Sequence, residues 1–185
     1  MIAWVDLETT GLIDACAIIE VACIVTDEDY NEVDKYHSLV KPHVNAQFQS
    51  KAIEMHEASG LWKECNHSPY AVDIALVDQE LDFILSKNQV ERKPMILGGS
   101  SVHFDQMFIK RYMPLTFNRL HYRLLDVSSV KIFMANLSGV PTEKLPPIKS
   151  ETKHRAMDDI QDSIQALKIF QAYVLGPLLK EDYDD

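Results

Sequence analysis

The sequence predicts an α/β domain built on a mixed β-sheet, and three observations carry that prediction. Strand-like runs at residues 2–6, 16–27 and 33–41 lie close together, joined by short polar links, as in an antiparallel meander. Beyond residue 69, helical and strand-like stretches alternate, the order in which a chain adds parallel strands through crossover helices. The chain then closes on a long amphipathic helix from His154 to Leu175. A meander followed by βα alternation yields a mixed sheet with helices on its faces.

Each element has a local reason. Residues 2–6, IAWVD, are apolar up to the aspartate. CAIIEVACIVTD at 16–27 is rich in β-branched residues, which suit a pleated surface. Asp27 to Asn31 is polar and turn-like, so 33–41 can return as a third strand. Residues 69–87 space Val72, Leu76, Leu81, Ile84 and Leu85 at mostly helical intervals, with Ser68-Pro69 as the helix start. PMILGGS at 94–100 is a short buried strand ending in glycines, and HFDQMFIKRYM at 103–113 is helical. LLDV at 124–127 is a strand, and Ser128 to Asn136 is a helix. LSGVPTEKLPP at 137–147 holds three prolines and a glycine and is a loop.

Composition narrows the function classes. The chain has 185 residues, 46% hydrophobic and 25% charged, an ordinary globular make-up that the length prior assigns to one domain. That domain is expected to span residues 1–178, with 179–185 as an acidic tail. No apolar run approaches the roughly 18 residues that span a bilayer, and Asp6 interrupts any leader-like stretch. No membrane contact is expected. Cys16, Cys23 and Cys65 form no close pair, which fits a reducing cytoplasm and opposes both a disulfide framework and a zinc site. Net charge is -10. A binder of long nucleic acid needs a basic footprint to neutralise many phosphates, and this chain has none overall.

The placement of acids is the informative feature. In AWVDLETTGL, residues 3–12, alternation along a strand points Asp6 and Glu8 to one face and Val5 and Leu7 to the other. Like charges side by side repel unless a cation lies between them. Alone, the pair reads as a solvated strand end at a turn. On the last helix, with Ile160 set at zero, Ala156, Met157, Ile164, Leu167 and Val174 fall within about 60° and form the buried stripe. Asp158 falls about 160° away and is expected to face water, whereas Asp159, about 100° away, sits on the flank of the stripe. Asp105 opens a helix after the GGSSV turn, and by itself would read as a cap. Asp126, just before Ser128-Ser129, is read as a cap.

Three segments together go further. DLETTGL at 6–12, GSSVHFDQMFI at 99–109 and HRAMDDI at 154–160 resemble, in order and wide separation, the three motifs of the DEDDh 3′→5′ exonuclease superfamily. Within it, HEASGL at 56–61, HYRLLDVSSVK at 121–131 and KHRAMDDIQDSIQAL at 153–167 are similar to oligoribonuclease segments. The resemblance runs over almost the whole chain. It implies a ribonuclease H-like fold, a mixed five-stranded sheet with helices on both faces. It implies that Asp6, Glu8, Asp105 and Asp159 hold two divalent ions, Mg2+ or Mn2+, and that His154 is the general base. It further implies substrate contacts from Leu12, His56, Ser101, Tyr122, Arg123 and Ser128, with Tyr122 and Arg123 reaching across a homodimer. The chain departs from the family at Lys51, where oligoribonucleases carry a tryptophan five residues before the HxASGL histidine.

Carboxylates are hard oxygen ligands suited to Mg2+ or Mn2+. A pair of such ions can clamp the attacking and leaving oxygens of a phosphodiester. A histidine that is neutral near pH 7 can take a proton from water. The leading reading is a metal-dependent 3′→5′ exoribonuclease that hydrolyses short RNA or DNA oligonucleotides to nucleoside 5′-monophosphates. Acidity and the HYR segment favour it. Lys51 favours a second reading, an exonuclease on longer single strands in proofreading or RNA trimming. A third is a ribonuclease H-like binding module without catalysis, which retention of all five candidate residues opposes.

Overall fold

The computed structural model describes residues 1–148 and 155–181, with side chains as far as Tyr173. Its strands are β1 (Ile2–Thr9), β2 (Ile18–Thr26), β3 (Glu32–Leu39), β4 (Met95–Gly99) and β5 (Leu120–Asp126). Its helices are α1 (Ser50–Ser59), α2 (Leu61–His67), α3 (Ile74–Asn88), α4 (His103–Tyr112), α5 (Pro114–Phe117), α6 (Val127–Ser138) and α7 (Ala156–Glu181). The strands form one five-stranded sheet in the order β3-β2-β1-β4-β5. β1, β2 and β3 pair antiparallel, and β4 and β5 join parallel to β1, so the sheet is mixed as expected.

Alternation along β1 sorts the core into two layers. Ala3, Val5 and Leu7 face one side with Val21, Cys23 and Val25, packed against Val77, Leu81 and Leu85 of α3 and Phe108 and Ile109 of α4. Trp4 faces the other side with Ala22 and Ile24, under Ile160, Ile164, Leu167 and Phe170 of α7 and Val127 and Met134 of α6. Asp6 and Glu8 share the parity of Trp4 and therefore lie on the α7 side. β1 and β2 are central and almost wholly buried, whereas the edge strand β3 alternates.

Three readings are corrected. The helix expected from Ser68-Pro69 starts at Ile74, capped by the Asp73 side chain, which accepts from the Ala75 N–H. Tertiary pairing overrides the local signal there, because Val72 is held in extended backbone by a parallel bridge to Val40. β1 runs three residues past Asp6, and β5 starts at Leu120 rather than 124. Pairing with neighbours, not side-chain pattern, sets those ends. Finally, α1 and α2 carry no strong apolar periodicity and have no counterpart in the sequence reading; α1 buries only His56. They meet at Gly60, whose φ of 81° lies in the left-handed region that ends helices. The buried cysteines are all free thiols. Among the described residues, no helix is long and apolar enough to cross a membrane.

Candidate active site

β1 delivers the first two acids. Asp6 and Glu8 project from one face of its buried C-terminal half, 8% and 7% exposed. The parallel pairing of β1 with β4 covers only Ile2 to Trp4, so the two strands part beyond that point. Asp105, in the first turn of α4, enters this gap: the Leu7 N–H donates to its Oδ1 at 3.0 Å. The end of β4 lies tight against β1 and the residue preceding α4, since a Cβ on Gly99 would stand 3.0 Å from the Val5 carbonyl oxygen and 3.2 Å from Val102 Cγ2. From the other side, α7 brings Asp159, 3% exposed, in its first turn.

One carboxylate oxygen from each of Asp6, Glu8 and Asp159 lies within 4.8 Å of the other two. All three line a cleft of ≈ 460 Å³ together with Asp105, Ser100, Ser101, Ser128, Met55, Phe104 and Ile148. Buried acids this close repel one another unless a cation compensates them. The donor set is all hard oxygen, which fits a divalent cation such as Mg2+ or Mn2+. The fit rests on residues from β1, α4 and α7, three elements far apart in sequence.

The substrate-contact candidates divide into two groups. Ser101 and Ser128 line the cleft, with their hydroxyls 3.2 Å apart. Ser101 has a φ of 57°, uncommon for a non-glycine residue. Its N–H donates to Asp126 Oδ1 at 2.8 Å. Asp126 also caps α6 as read from sequence, accepting from the Ser128 N–H and the Ser129 hydroxyl. Tyr122 and Arg123 instead lie exposed on the outer edge strand β5, with the Arg123 guanidinium 4.9 Å over the Tyr122 ring and that ring stacked on His121. No β5 residue lines the cleft; Asp126, at the end of the strand, bonds the Ser101 N–H on its wall, and Tyr122 to Asp126 spans roughly 13 Å of strand.

Leu12 is 74% exposed in the loop after β1, where its N–H donates to Gln49 Oε1. His56 is fully buried: Nε2 donates to the Thr9 carbonyl at 2.8 Å, and Nδ1 lies 3.8 Å from Glu8 Oε2. It supports the end of β1 from inside the protein and is absent from the cleft lining. His154 lies outside the described residues. Asp158, expected to face water, is half-buried and borders a groove with Lys35, Tyr36 and His37. The edge strand β3 and the first turns of α7 share that groove, a neighbour that no helix angle could show.

Sequence reasoning missed Glu20. It is 1% exposed on β2, directly opposite Glu8 in the ladder. Burial works to raise its pKa, but hydrogen bonds from His37, Arg155 and the Ala156 N–H outweigh that and hold the carboxyl below its usual range. The available signal was a lone acid inside the apolar run CAIIEVACIV, since a charge in a central strand has to be paired.

With this geometry in place, comparison with known proteins is informative. Residues 3–167 match the RNase T family, described as exonuclease. The chain is 34% identical over 177 residues to a probable oligoribonuclease of Drosophila melanogaster, covering 92% of this chain and 81% of the relative. It is 36% identical to the mitochondrial oligoribonuclease of Homo sapiens, covering 96% and 75% of the two chains. With an oligoribonuclease of Francisella tularensis it shares 34% identity over 94% and 95%. Among solved structures, the nuclease domain of 3′hExo, a DEDDh family member bound to rAMP, superposes with a TM-score of 0.61 at 17% identity, covering 95% of this chain and 92% of that one. Escherichia coli exonuclease I with a dA16 oligonucleotide gives 0.62 at 17% identity, over 97% and 43%. At such identities the structural likeness is one of fold.

Proposed function

The chain belongs to the RNase T exonuclease family, in its oligoribonuclease group, and from that premise we propose that Asp6, Glu8, Asp105 and Asp159 hold two divalent ions at the reacting phosphate. The protein is a 3′→5′ exonuclease that hydrolyses short oligonucleotides to nucleoside 5′-monophosphates. The observation that carries the site assignment is the meeting of Asp6, Glu8 and Asp159 within 4.8 Å, with Asp105 in the same cleft. Mg2+ or Mn2+ bound there would activate the attacking water and stabilise the charge on the leaving 3′ oxygen. The protein supplies a rigid, largely buried oxygen cage held on two helices and a central strand. His154, five residues before Asp159 in sequence, accepts the proton of the water as general base. Ser101 and Ser128 offer hydroxyl donors on the cleft wall to phosphate oxygens.

Tyr122 and Arg123 grip the 5′ phosphate of a substrate held in the cleft of a second copy. Their distance from the cleft of their own chain supports this, as does the exposed apolar face of α6, where Ile132, Phe133 and Leu137 are each more than half exposed. The working unit is then a homodimer, each protomer a single domain over residues 1–178 followed by the acidic stretch 179–185. Buried free thiols and the absence of paired cysteines support a cytoplasmic site of action.

Length selection follows from charge. A chain at -10 gains little from phosphates far from the site, so short strands are favoured. Lys51, exposed on the first turn of α1, supports the second reading of longer single strands, because a cation on the helix whose Met55 lines the cleft can hold an additional phosphate. An end-labelled series from dinucleotide to about a 20-mer, as RNA and as DNA with Mn2+, decides between them through polarity and relative rates. Faster turnover of the dinucleotide supports the first reading, and rates rising with length support the second.

A further inference from the structure

We propose that Glu20 is a positioning residue of the nuclease site: through Ala156 and Arg155 it sets the first turn of α7, so that Asp159 meets Asp6 and Glu8. The proposal rests on the metal-site reading above. The Glu20 carboxylate lies where four elements converge. Its Oε2 accepts from the Ala156 N–H at 3.0 Å, one of the donors that a helix start leaves without an intrahelical partner. Its Oε1 accepts from Arg155 Nε at 3.0 Å and from His37 Nε2 of β3 at 2.8 Å. Arg155 also donates through Nη2 to Glu64 Oε2 of α2 at 3.0 Å. One buried acid thereby ties β2, β3 and α2 to the N-terminus of α7.

The tie reaches the site through one helical turn. The Asp159 N–H donates to the Arg155 carbonyl at 3.1 Å. A second anchor holds that turn from the far side: the Ser163 hydroxyl donates to the Asp159 carbonyl at 2.8 Å and meets the Ser100 hydroxyl, past the end of β4, at 2.8 Å. Glu20 stands opposite Glu8 across the β1–β2 ladder, where side chains of facing residues sit about 4.5–5.5 Å apart. Yet Glu20 is absent from the cleft lining and borders the groove of Lys35 and His37 instead.

Stability alone is a poor reason for this arrangement. Ile160, Ile164, Leu167 and Phe170 already dock α7 on the sheet. A buried ion pair commonly contributes no more than apolar residues of the same volume, so its return is specificity. An apolar stripe tolerates small slides and rotations of a helix. A carboxylate that must meet one backbone N–H and one guanidinium tolerates far less. Misplacing Asp159 by about 1 Å is enough to matter for a metal and phosphate site.

The test compares Glu20→Gln, Arg155→Lys and Glu64→Gln in the full chain, each checked for folding by circular dichroism. Mn2+ affinity is measured by calorimetric titration without substrate, and kcat and KM on a short RNA oligonucleotide. Residues that orient metal ligands typically cost about 10–100-fold when removed. Glu20→Gln is expected to weaken Mn2+ binding and lower kcat by that factor while KM stays near the wild-type value. Arg155→Lys, which keeps the charge but loses the two-pronged geometry, moves both readouts in the same direction, and Glu64→Gln does so less, since its pair with Arg155 is partly exposed. Folded Glu20→Gln protein with wild-type Mn2+ affinity and kcat, or with only a lowered melting temperature, overturns the proposal. Should Glu20→Gln fail to fold, the same two readouts on Arg155→Lys decide it. A wild-type protein that neither binds Mn2+ nor cleaves overturns the nuclease reading itself, and the positioning role falls with it.

Discussion

The C-terminal end of β1 and the outer edge at β5 answer different needs. At β1, carboxylates from three elements converge in a cleft, each less than one-tenth exposed. At β5, Tyr122, 76% exposed, lies under Arg123 on a strand with no further strand beside it. The first region is assembled by one chain and is rigid because it is buried in packed secondary structure. The second presents a cation and an aromatic ring outward. On the proposed reading, phosphodiester chemistry and substrate length selection are separable, the one internal to a protomer and the other dependent on what β5 meets.

The largest expected effect is at the centre. Asp6→Ala or Asp159→Ala should abolish turnover with the fold retained, because each would remove a ligand of the proposed metal cage. Asp158→Ala should stay active, and a steady-state assay on a short RNA distinguishes the neighbours. Near-wild-type turnover in Asp159→Ala would dissolve the distinction between the two regions.

Next in size is His154→Ala, expected to lower the rate by about 10²–10⁴ while Mn2+ binding persists. Wild-type activity should rise with pH through the titration of a histidine and then level off. An unaltered pH profile in the variant would remove His154 from the chemistry.

Arg123→Ala sharpens the comparison from the other side. Arginine holds a phosphate by two parallel hydrogen bonds, so cleavage of a 5′-phosphorylated dinucleotide should slow severely while a long strand is affected much less. Mixing this variant with Asp6→Ala should restore part of the dinucleotide activity through mixed dimers carrying one intact composite site. Equal losses on both substrates, or full activity from a strict monomer in sedimentation, would show that β5 does not select length.

The smallest effect concerns support between the regions. Asp126 caps α6 and also accepts from the Ser101 N–H, joining the end of β5 to the cleft wall. Asp126→Ala should cost about 0.5–2 kcal/mol, the range for a lost cap, read by urea denaturation, with turnover only modestly reduced.

Much of the central region is legible residue by residue. Strand alternation alone sends Asp6 and Glu8 to one side, and helix angle alone separates Asp159 from Asp158, because both follow from periods fixed by backbone geometry. Asp105 and Asp126 are adjacent cases that periodicity cannot separate: both open helices, and only one caps. The first is drawn into the gap where β1 and β4 diverge, and the second stays on its own helix and its neighbouring loop. The helices over 50–67 were illegible, since they bury few side chains and so carry little periodicity.

By itself, then, the sequence determined the class of the sheet, the direction each acid points from its own element, and the resemblance that links three distant segments. Those are local properties, set by steric periods and residue type. Tertiary structure alone decided which acids meet, that Glu20 is buried opposite Glu8, that Asp158 borders a groove shared with β3, and that Tyr122 and Arg123 are absent from the lining of their own cleft. Each depends on strand order and register, which arise from pairing between segments far apart in the chain and leave no trace in any single window of it.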